Sequence, residues 1–238
     1  MNTHFQASPL KPDPQAMRAA LKVFGVGSDH VTELRILKAR EALTSRFNFT
    51  FGGYFDDTEK LVKAACSIQF AYGWYIIPNP CQPDVLSRFN NRGVRLDKGE
   101  STQDHEILRR AWLLIDADPV RLARISSTDE EHELALARVR EIAVYLQSDG
   151  WPAPVIADSG NGGHLLLPID LPTDDGGIVS RCLKSLAAKF DDDRVKIDTS
   201  VANPARIWKL YGTPACKGDS TPQRPHRMAR LLEVPDGL

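Results

Sequence analysis

Two carboxylates one residue apart, Asp116 and Asp118, close the apolar run Trp112-Leu113-Leu114-Ile115. On an extended chain, alternation turns both acids to the same side and Ala117 to the other. Two anions placed together repel each other unless a cation sits between them. A divalent ion such as Mg²⁺ or Mn²⁺ suits the pair, because it takes oxygen ligands and shares them with substrate phosphates. The same residues also fit a strand followed by an Asp-rich turn, since Asp-x-Asp-Pro is good turn chemistry. On this segment alone the two readings stand level.

Two later segments bear on the choice. The first is Asp158-Ser159-Gly160-Asn161-Gly162-Gly163-His164, followed by Leu165-Leu166-Leu167. Its glycines let the backbone approach a ligand and turn amides toward an anion, and His164 stands where a new strand begins, able to donate to a phosphate oxygen. A plain hairpin with a strand-edge histidine uses the same residues. The second segment, Val195-Lys196-Ile197-Asp198, is a short alternating strand that again ends in a carboxylate. A third Asp would complete a cluster able to hold two metals about 3.5–4 Å apart, as polymerases and nucleases do on phosphates. Alone, Asp198 reads as a strand end or a helix cap.

In this order, Asp-x-Asp, a glycine-rich loop ending in His, and an apolar residue plus Asp resemble the archaeo-eukaryotic primase superfamily. More specifically, the chain resembles the primase-polymerases of phages, plasmids and related mobile elements. Gly73-Trp74-Tyr75-Ile76-Ile77-Pro78-Asn79-Pro80 upstream is similar to a strand-plus-Asn-Pro segment of that group. Downstream, Asn203-Pro204-Ala205-Arg206-Ile207-Trp208-Lys209-Leu210-Tyr211-Gly212-Thr213, Lys217-Gly218-Asp219 and Arg224-Pro225-His226-Arg227 follow in the expected order. The resemblance spans the chain from about residue 30 onward.

The resemblance implies an α+β fold. An RRM-like antiparallel catalytic sheet with flanking helices would pack on an N-terminal α/β unit, in one catalytic domain over 1–238 with subdomains 1–110 and 111–238. It implies a DNA primase-polymerase that transfers NTP or dNTP onto a 3′-hydroxyl on single-stranded or primed DNA, with a helicase as a candidate partner. Asp116, Asp118 and Asp198 would hold two Mg²⁺ or Mn²⁺ ions. Ser159, Gly160, Gly162 and His164, with the amides of Gly160 to Gly163, would grip the triphosphate. Arg206 and Lys217 are candidates for further phosphate contacts, the first bidentate and the second a point charge. Tyr75, Asn79, Arg224, His226 and Arg227 are candidate contacts to nucleotide or template.

There are departures from the family pattern. The second motif is often Ser-x-His, whereas here Gly162 precedes Gly163-His164 and Ser159 lies further upstream. Cys66, Cys81, Cys182 and Cys216 are scattered, with no Cys-x-x-Cys pair, so no structural zinc is expected.

The length of 238 residues can bury a substantial core, and 42% hydrophobic with 26% charged residues is ordinary for a globular chain. Thiols without an evident pairing scheme, no N-terminal leader pattern and no bilayer-length apolar run make the expected location cytoplasmic. A net charge of −1 argues against a protein that holds duplex by bulk electrostatics. Locally the balance differs: between Arg206 and Arg230 stand six Lys or Arg residues against the single acid Asp219.

Three rivals compete. Nucleotide-sugar glycosyltransferases also end strands in Asp-x-Asp, but need neither Asp198 nor the basic run. A Walker B strand is unsupported, because no Gly-x-x-x-x-Gly-Lys-Ser/Thr loop is present. A non-catalytic replication-initiator module that binds DNA is the third.

The elements that must position these residues can be read coarsely. Asp13-Pro14 opens a helix reaching about Phe24. Val31–Leu37 reads as a strand, Phe47–Phe55 as a strand or a hairpin around Gly52-Gly53, Asp57–Phe70 as helix, and Tyr72–Ile77 as strand. Arg88–Gln103 reads as a long mobile loop and Ala111–Ile115 as the metal-end strand. Thr128-Asp129-Glu130-Glu131 has capping-box spacing and opens a helix to about Ser148. Pro154–Ala157 and His164–Ile169 read as neighbouring strands, residues 178–190 as helix, Asp191-Asp192-Asp193 as a solvated loop, and Arg206–Tyr211 and His226–Leu232 as extended.

Overall fold

A computed structural model of the chain describes residues 10–27, 30–42 and 44–237. Its helices start where single side chains satisfy the first free amides. Asp13 accepts from the amides of Gln15 and Ala16, and Pro14 supplies a fixed φ, so α1 runs Pro14–Val23. Asp57 caps α2 (Thr58–Cys66) in the same way. Thr128 and Glu131 bond each other's amides at the start of α3 (Asp129–Ser148), a cap that contributes about 1 kcal/mol. In α4 (Ile178–Phe190), Val179, Leu183, Leu186 and Phe190 recur at helical spacing and are buried.

The strands are β1 (Thr32–Ala39), β2 (Phe49–Phe55), β3 (Gly73–Ile76), β4 (Val94–Leu96), β5 (Arg110–Pro119), β6 (Val155–Asp158), β7 (Gly163–Leu171), β8 (Val195–Ile197), β9 (Trp208–Lys209), β10 (Pro214–Ala215), β11 (Arg227–Met228) and β12 (Arg230–Glu233). They form two antiparallel sheets. One has the order β12-β6-β7-β5-β8. Its chain order β5-α3-β6-β7-α4-β8 is a βαββαβ unit with β7 and β5 central, the RRM-like arrangement expected, extended at one edge by β12. The other sheet runs β11-β10-β3-β1-β2-β4, with β9 also paired to β3.

The C-terminal third therefore crosses the division expected near residue 110. Strands β9, β10 and β11 return to the sheet built by the first hundred residues. One hydrophobic core runs through both sheets, from Leu34, Ile36 and Trp74 to Leu114, Leu165 and Leu183.

Several sequence expectations need correction. β5 continues through Pro119, so Asp116 and Asp118 lie within a paired strand and not in a turn. Gly52-Gly53 is no hairpin tip: a Cβ on Gly52 would collide with the Leu34 carbonyl and one on Gly53 with the Arg92 carbonyl, and β2 pairs with β1 through both and with β4 through Gly52. The segment 88–103 is ordered. It contributes β4 and is fastened by Arg88 to Glu106, by the Tyr54 hydroxyl to the Glu100 carbonyl, and by the Thr102 amide to buried Glu33. In the acidic loop, Asp191 accepts from the Ile197 amide, while Asp192 takes the amides of Arg194 and Val195 and an ion pair from Arg138. Those acids set the entry into β8.

Candidate active site

The register of three neighbouring strands builds the site. Asp116 on β5 pairs with His164 on β7, and Ala117 pairs with Ile197 on β8. The amide of Asp198 then donates to the Asp116 carbonyl at 2.8 Å. His164, Asp116 and Asp198 thus stand in one row across the sheet. Asp118, two residues along β5, shares their face. The opposite face, with Ala117 and Gly163, packs on α3: a Cβ on Gly163 would lie 2.7 Å from the Ala135 carbonyl. Facing the row across a cleft of about 250 Å³ are Tyr75 of β3, Trp208 and Lys209 of β9, and Lys217; Arg206 and Ser159 complete its walls.

The carboxylates are held against their own repulsion. Burial and the adjacent negative charge of Asp116 push the Asp118 carboxyl above the usual range. Burial acts on Asp116 in the same direction, but His164, Lys217 and Arg121 outweigh it and hold Asp116 ionised. Asp116 Oδ1 is buried without a hydrogen-bond partner, with His164 Nε2 3.4 Å away. Asp118 Oδ1 lies 3.5 Å from Arg121. Asp198 is partly engaged: its Oδ1 accepts from the Ser200 amide at the start of a short 3-10 turn, and its Oδ2 lies 3.8 Å from Arg206.

An oxygen-only donor set with one orphaned buried oxygen and a repelling neighbour fits a hard divalent cation. Among the described residues no three His, Cys, Asp or Glu side chains yet converge on one point. Asp116 and Asp118 share one face of β5, and of the Asp198 oxygens only Oδ1 is taken by the Ser200 amide.

The orientation of His164 follows from donors and acceptors. Trp208 Nε1 can only donate, and it donates to the Tyr211 hydroxyl at 2.8 Å. Tyr211 in turn lies 2.9 Å from His164 Nδ1 and donates its O–H to that nitrogen. Neutral His164 is then protonated on Nε2, the nitrogen that points at Asp116. Trp208 also covers the imidazole, ring centroids 4.0 Å apart, and fixes its plane.

The opposing cations differ in their settings. Lys209 is 5% exposed; its Nζ donates to the Pro214 carbonyl at 2.6 Å and stands 5.4 Å from the Tyr75 ring centroid. Burial pushes its pKa down to about 7. Lys217 sits on a turn braced by Ser126, which donates to the Lys217 carbonyl, and by His226, which donates to the Gly218 carbonyl. Arg206 donates to Ser200 Oγ, and its buried Nε has no partner.

The cleft thus gathers Asp116, Asp118, Asp198, His164, Ser159, Arg206, Lys217 and Tyr75. Other sequence candidates lie elsewhere. The glycine loop is no open phosphate cradle, because its amides are already used. Gly160 donates to Asp158, and Asn161 and Gly162 donate to Ser159 Oγ. Gly160 is needed for φ +86° and for close approach to Ala215, Gly162 for close approach to the Ala117 carbonyl. Asn79 is buried and structural: its Oδ1 accepts from the amides of Ala111 and Trp112, and its Nδ2 donates to the Pro204 carbonyl. Arg224 and Arg227 are bound to Glu131 and Asp129 at the start of α3, and His226 reaches the site only through the turn that carries Lys217.

Sequence reasoning passed over Lys209, Trp208 and Tyr211. The signal was present: a lysine inside Ile207-Trp208-Lys209-Leu210-Tyr211 is a charge in an apolar run, and a buried lysine needs a reason.

No family model matches the chain, and no curated protein matches it. The fold, two antiparallel sheets with flanking helices, is the α+β fold of archaeo-eukaryotic primase domains. A solved structure with this likeness is the archaeo-eukaryotic primase domain of the cyanophage S-2L primase-polymerase. The match has a TM-score of 0.52 at 16% identity and covers 95% of this chain and 93% of that one. Among the described residues no helix is long and apolar enough to cross a membrane.

Proposed function

We propose that the protein is a metal-dependent nucleotidyltransferase of the primase-polymerase kind, adding NTP or dNTP to a 3′-hydroxyl on a single-stranded or primed DNA template. The observation that carries this reading is the row His164–Asp116–Asp198, with Asp118 beside it, facing Lys209 and Lys217 across one cleft. Carboxylates alone would suit many metal sites. Carboxylates opposed by lysines, one of them buried, suit a ligand that is itself a polyanion, with the metal on one side and the lysines on the other.

Asp116 and Asp118, joined by Asp198, would hold Mg²⁺ or Mn²⁺. Such an ion, when bound, would supply a lowered pKa for the attacking hydroxyl and charge neutralisation on the triphosphate. The chain's own residues do the rest. Lys217 and Lys209 bind phosphate oxygens, Arg206 adds a guanidinium with a free Nε, and His164 offers its Nε2 proton to a phosphate oxygen once the nucleotide lies over Asp116. Trp208 and Tyr75 wall the cleft and limit water around the charges.

The test is synthesis on single-stranded and primed DNA with Mg²⁺ or Mn²⁺, dNTPs and NTPs supplied separately. Asp116→Asn combined with Asp118→Asn should lower metal-dependent incorporation by at least about 10³-fold, a loss typical of removing the groups that stabilise transition-state charge. Its Tm should be unchanged or higher, because the exchange removes buried repulsion. A fully active double variant would overturn the reading. No product from the wild type, with DNA binding retained, would favour the initiator-module alternative.

A further inference from the structure

The cleft has two rims, and their cations are not alike. On one side, beyond Arg206, a polar groove includes Arg35. There the charge at Arg35 is already matched, since it holds both oxygens of buried Glu33 at 2.5 and 2.7 Å. On the other side a recess of about 200 Å³ is bordered by Lys38, Arg40, Tyr72 and Arg124, and it shares Tyr72 with the carboxylate cleft. Lys38 and Arg124 are exposed, and among the described residues neither is paired with a carboxylate.

Backbone conformation sharpens the contrast. Three non-glycine residues among those described have positive φ: Lys38 at 52°, Asn91 at 53° and Arg124 at 69°. Asn91 has a local reason, since asparagine tolerates this region and its side chain accepts from the amides of Asp56 and Asp57. The other two are cations on the same recess. Lys38 sits where the β1–β2 register slips between Ile36 and Ala39, a bulge that re-aims the side chain over Tyr72, Nζ 4.8 Å from the ring centroid. Strained backbone held at two converging cations points to a ligand for them.

We propose that Lys38 and Arg124 form a shelf for the phosphate backbone of single-stranded nucleic acid, with Tyr72 stacking a base where the strand enters the cleft. Resting on the nucleotidyl-transfer reading, the proposal adds the path of the strand. A phosphate drawing Lys38 off the Tyr72 face would free that face for a base, which stacks there whatever its identity. The shelf is outside the carboxylate cleft, so a mononucleotide bound at the metal would not need it, whereas a polyanion running through both would.

The experiment is fluorescence anisotropy of a labelled oligothymidylate over a range of salt, on the wild-type protein. The variants are Lys38→Glu combined with Arg124→Glu, and the milder Lys38→Gln combined with Arg124→Gln. Lys184→Glu with Lys189→Glu changes net charge equally at exposed sites on α4, which borders neither the cleft nor the shelf recess. The shelf variants should bind about tenfold or more weakly, with Tm unchanged. Their salt dependence should be shallower by about 0.7 for each phosphate that is no longer neutralised. The control should stay near wild type.

Equal weakening in the control, no change in the shelf variants, or no binding by the wild type would overturn the proposal. Thermal shift with Mn²⁺ and dTTP reports the cleft separately. Shelf-dependent oligonucleotide binding without any dTTP shift in the wild type would leave the shelf standing and remove the nucleotidyl-transfer reading. A dTTP shift abolished by the shelf variants would mean that the shelf holds the mononucleotide, and would overturn the proposal.

Discussion

The run from Arg206 to Arg230 contains two populations of cations that composition cannot tell apart. Arg224 bonds both oxygens of Glu131 and the Ser126 carbonyl, and Arg227 bonds Asp129 and Ser127. Their counter-charge is resident, so they fasten the C-terminal strands to the start of α3. Lys209 and Lys217 line the cleft with no carboxylate bonded to them among the described residues, opposite acids that still repel one another. Their counter-charge must be brought in. The difference separates structural charges from receptive ones by partner and not by residue type, and it also separates the two rims of the cleft.

The largest effect that could break this comparison comes from exchanging one cation of each kind for alanine. Lys217→Ala should lower kcat/KM for nucleotide by about 10- to 100-fold, the range of a charge-assisted hydrogen bond, with Tm nearly unchanged. Arg224→Ala should do the reverse, lowering Tm while leaving nucleotide KM close to wild type. Thermal melts and steady-state kinetics on both variants decide it. If Arg224→Ala raised KM while keeping Tm, the distinction between fastener and receptor would fail.

A smaller effect is expected at Tyr211, which touches no substrate and acts through His164. Tyr211→Phe removes the hydroxyl that links Trp208 Nε1 to His164 Nδ1. Two buried polar atoms would then have no partner, which should cost about 1–3 kcal/mol of stability. Activity should fall by about tenfold, the low end of what an orienting partner contributes. A purely structural tyrosine would leave the His164 tautomer unaltered. The positioning role requires the ring-nitrogen NMR shifts of His164 to report a mixture, because either nitrogen could then carry the proton.

Much of the scaffold could be read from local chemistry. Asp13-Pro14 and the Thr128–Glu131 box start helices within reach of their own side chains, and residues 178–190 form the helix that their spacing predicts. The three acids and His164 were legible because their strands have clear ends and a recognisable order. What remained hidden depends on pairing at a distance. Gly52-Gly53 looks like a turn until Leu34 and Arg92 are seen pressed against it. The glycines at 160 and 162 look like a phosphate loop until Asp158 and Ser159 are found to take its amides. Asn79 looks like a ligand until β5 claims its oxygen. Polar residues near a site are ambiguous in sequence because a resident partner many residues away can claim the same atoms that a ligand would.

Lys209 gives the finest test, because its charge is itself in balance. Burial lowers its pKa to about 7, so near neutrality the free protein holds a mixture of charged and neutral lysine. A bound triphosphate favours the charged form, and binding above that pKa must take up a proton. KM for nucleotide should therefore rise a few-fold from about pH 7 to about pH 8.5, with kcat changing less. The same shift acts on stability with the opposite consequence. The folded state binds this proton less readily than the unfolded chain, so the penalty is full below about pH 7 and fades as pH rises toward the ordinary lysine value of 10.5. Lys209→Met should abolish the pH step in KM, and it should raise Tm more at pH 6.5 than at pH 9, pH values chosen as about half a unit below and two units above the shifted pKa. A KM step that survives in Lys209→Met would place the titrating group elsewhere in the cleft, and a Tm that falls equally at both pH values would show that the bond to the Pro214 carbonyl outweighs the cost of burying the charge.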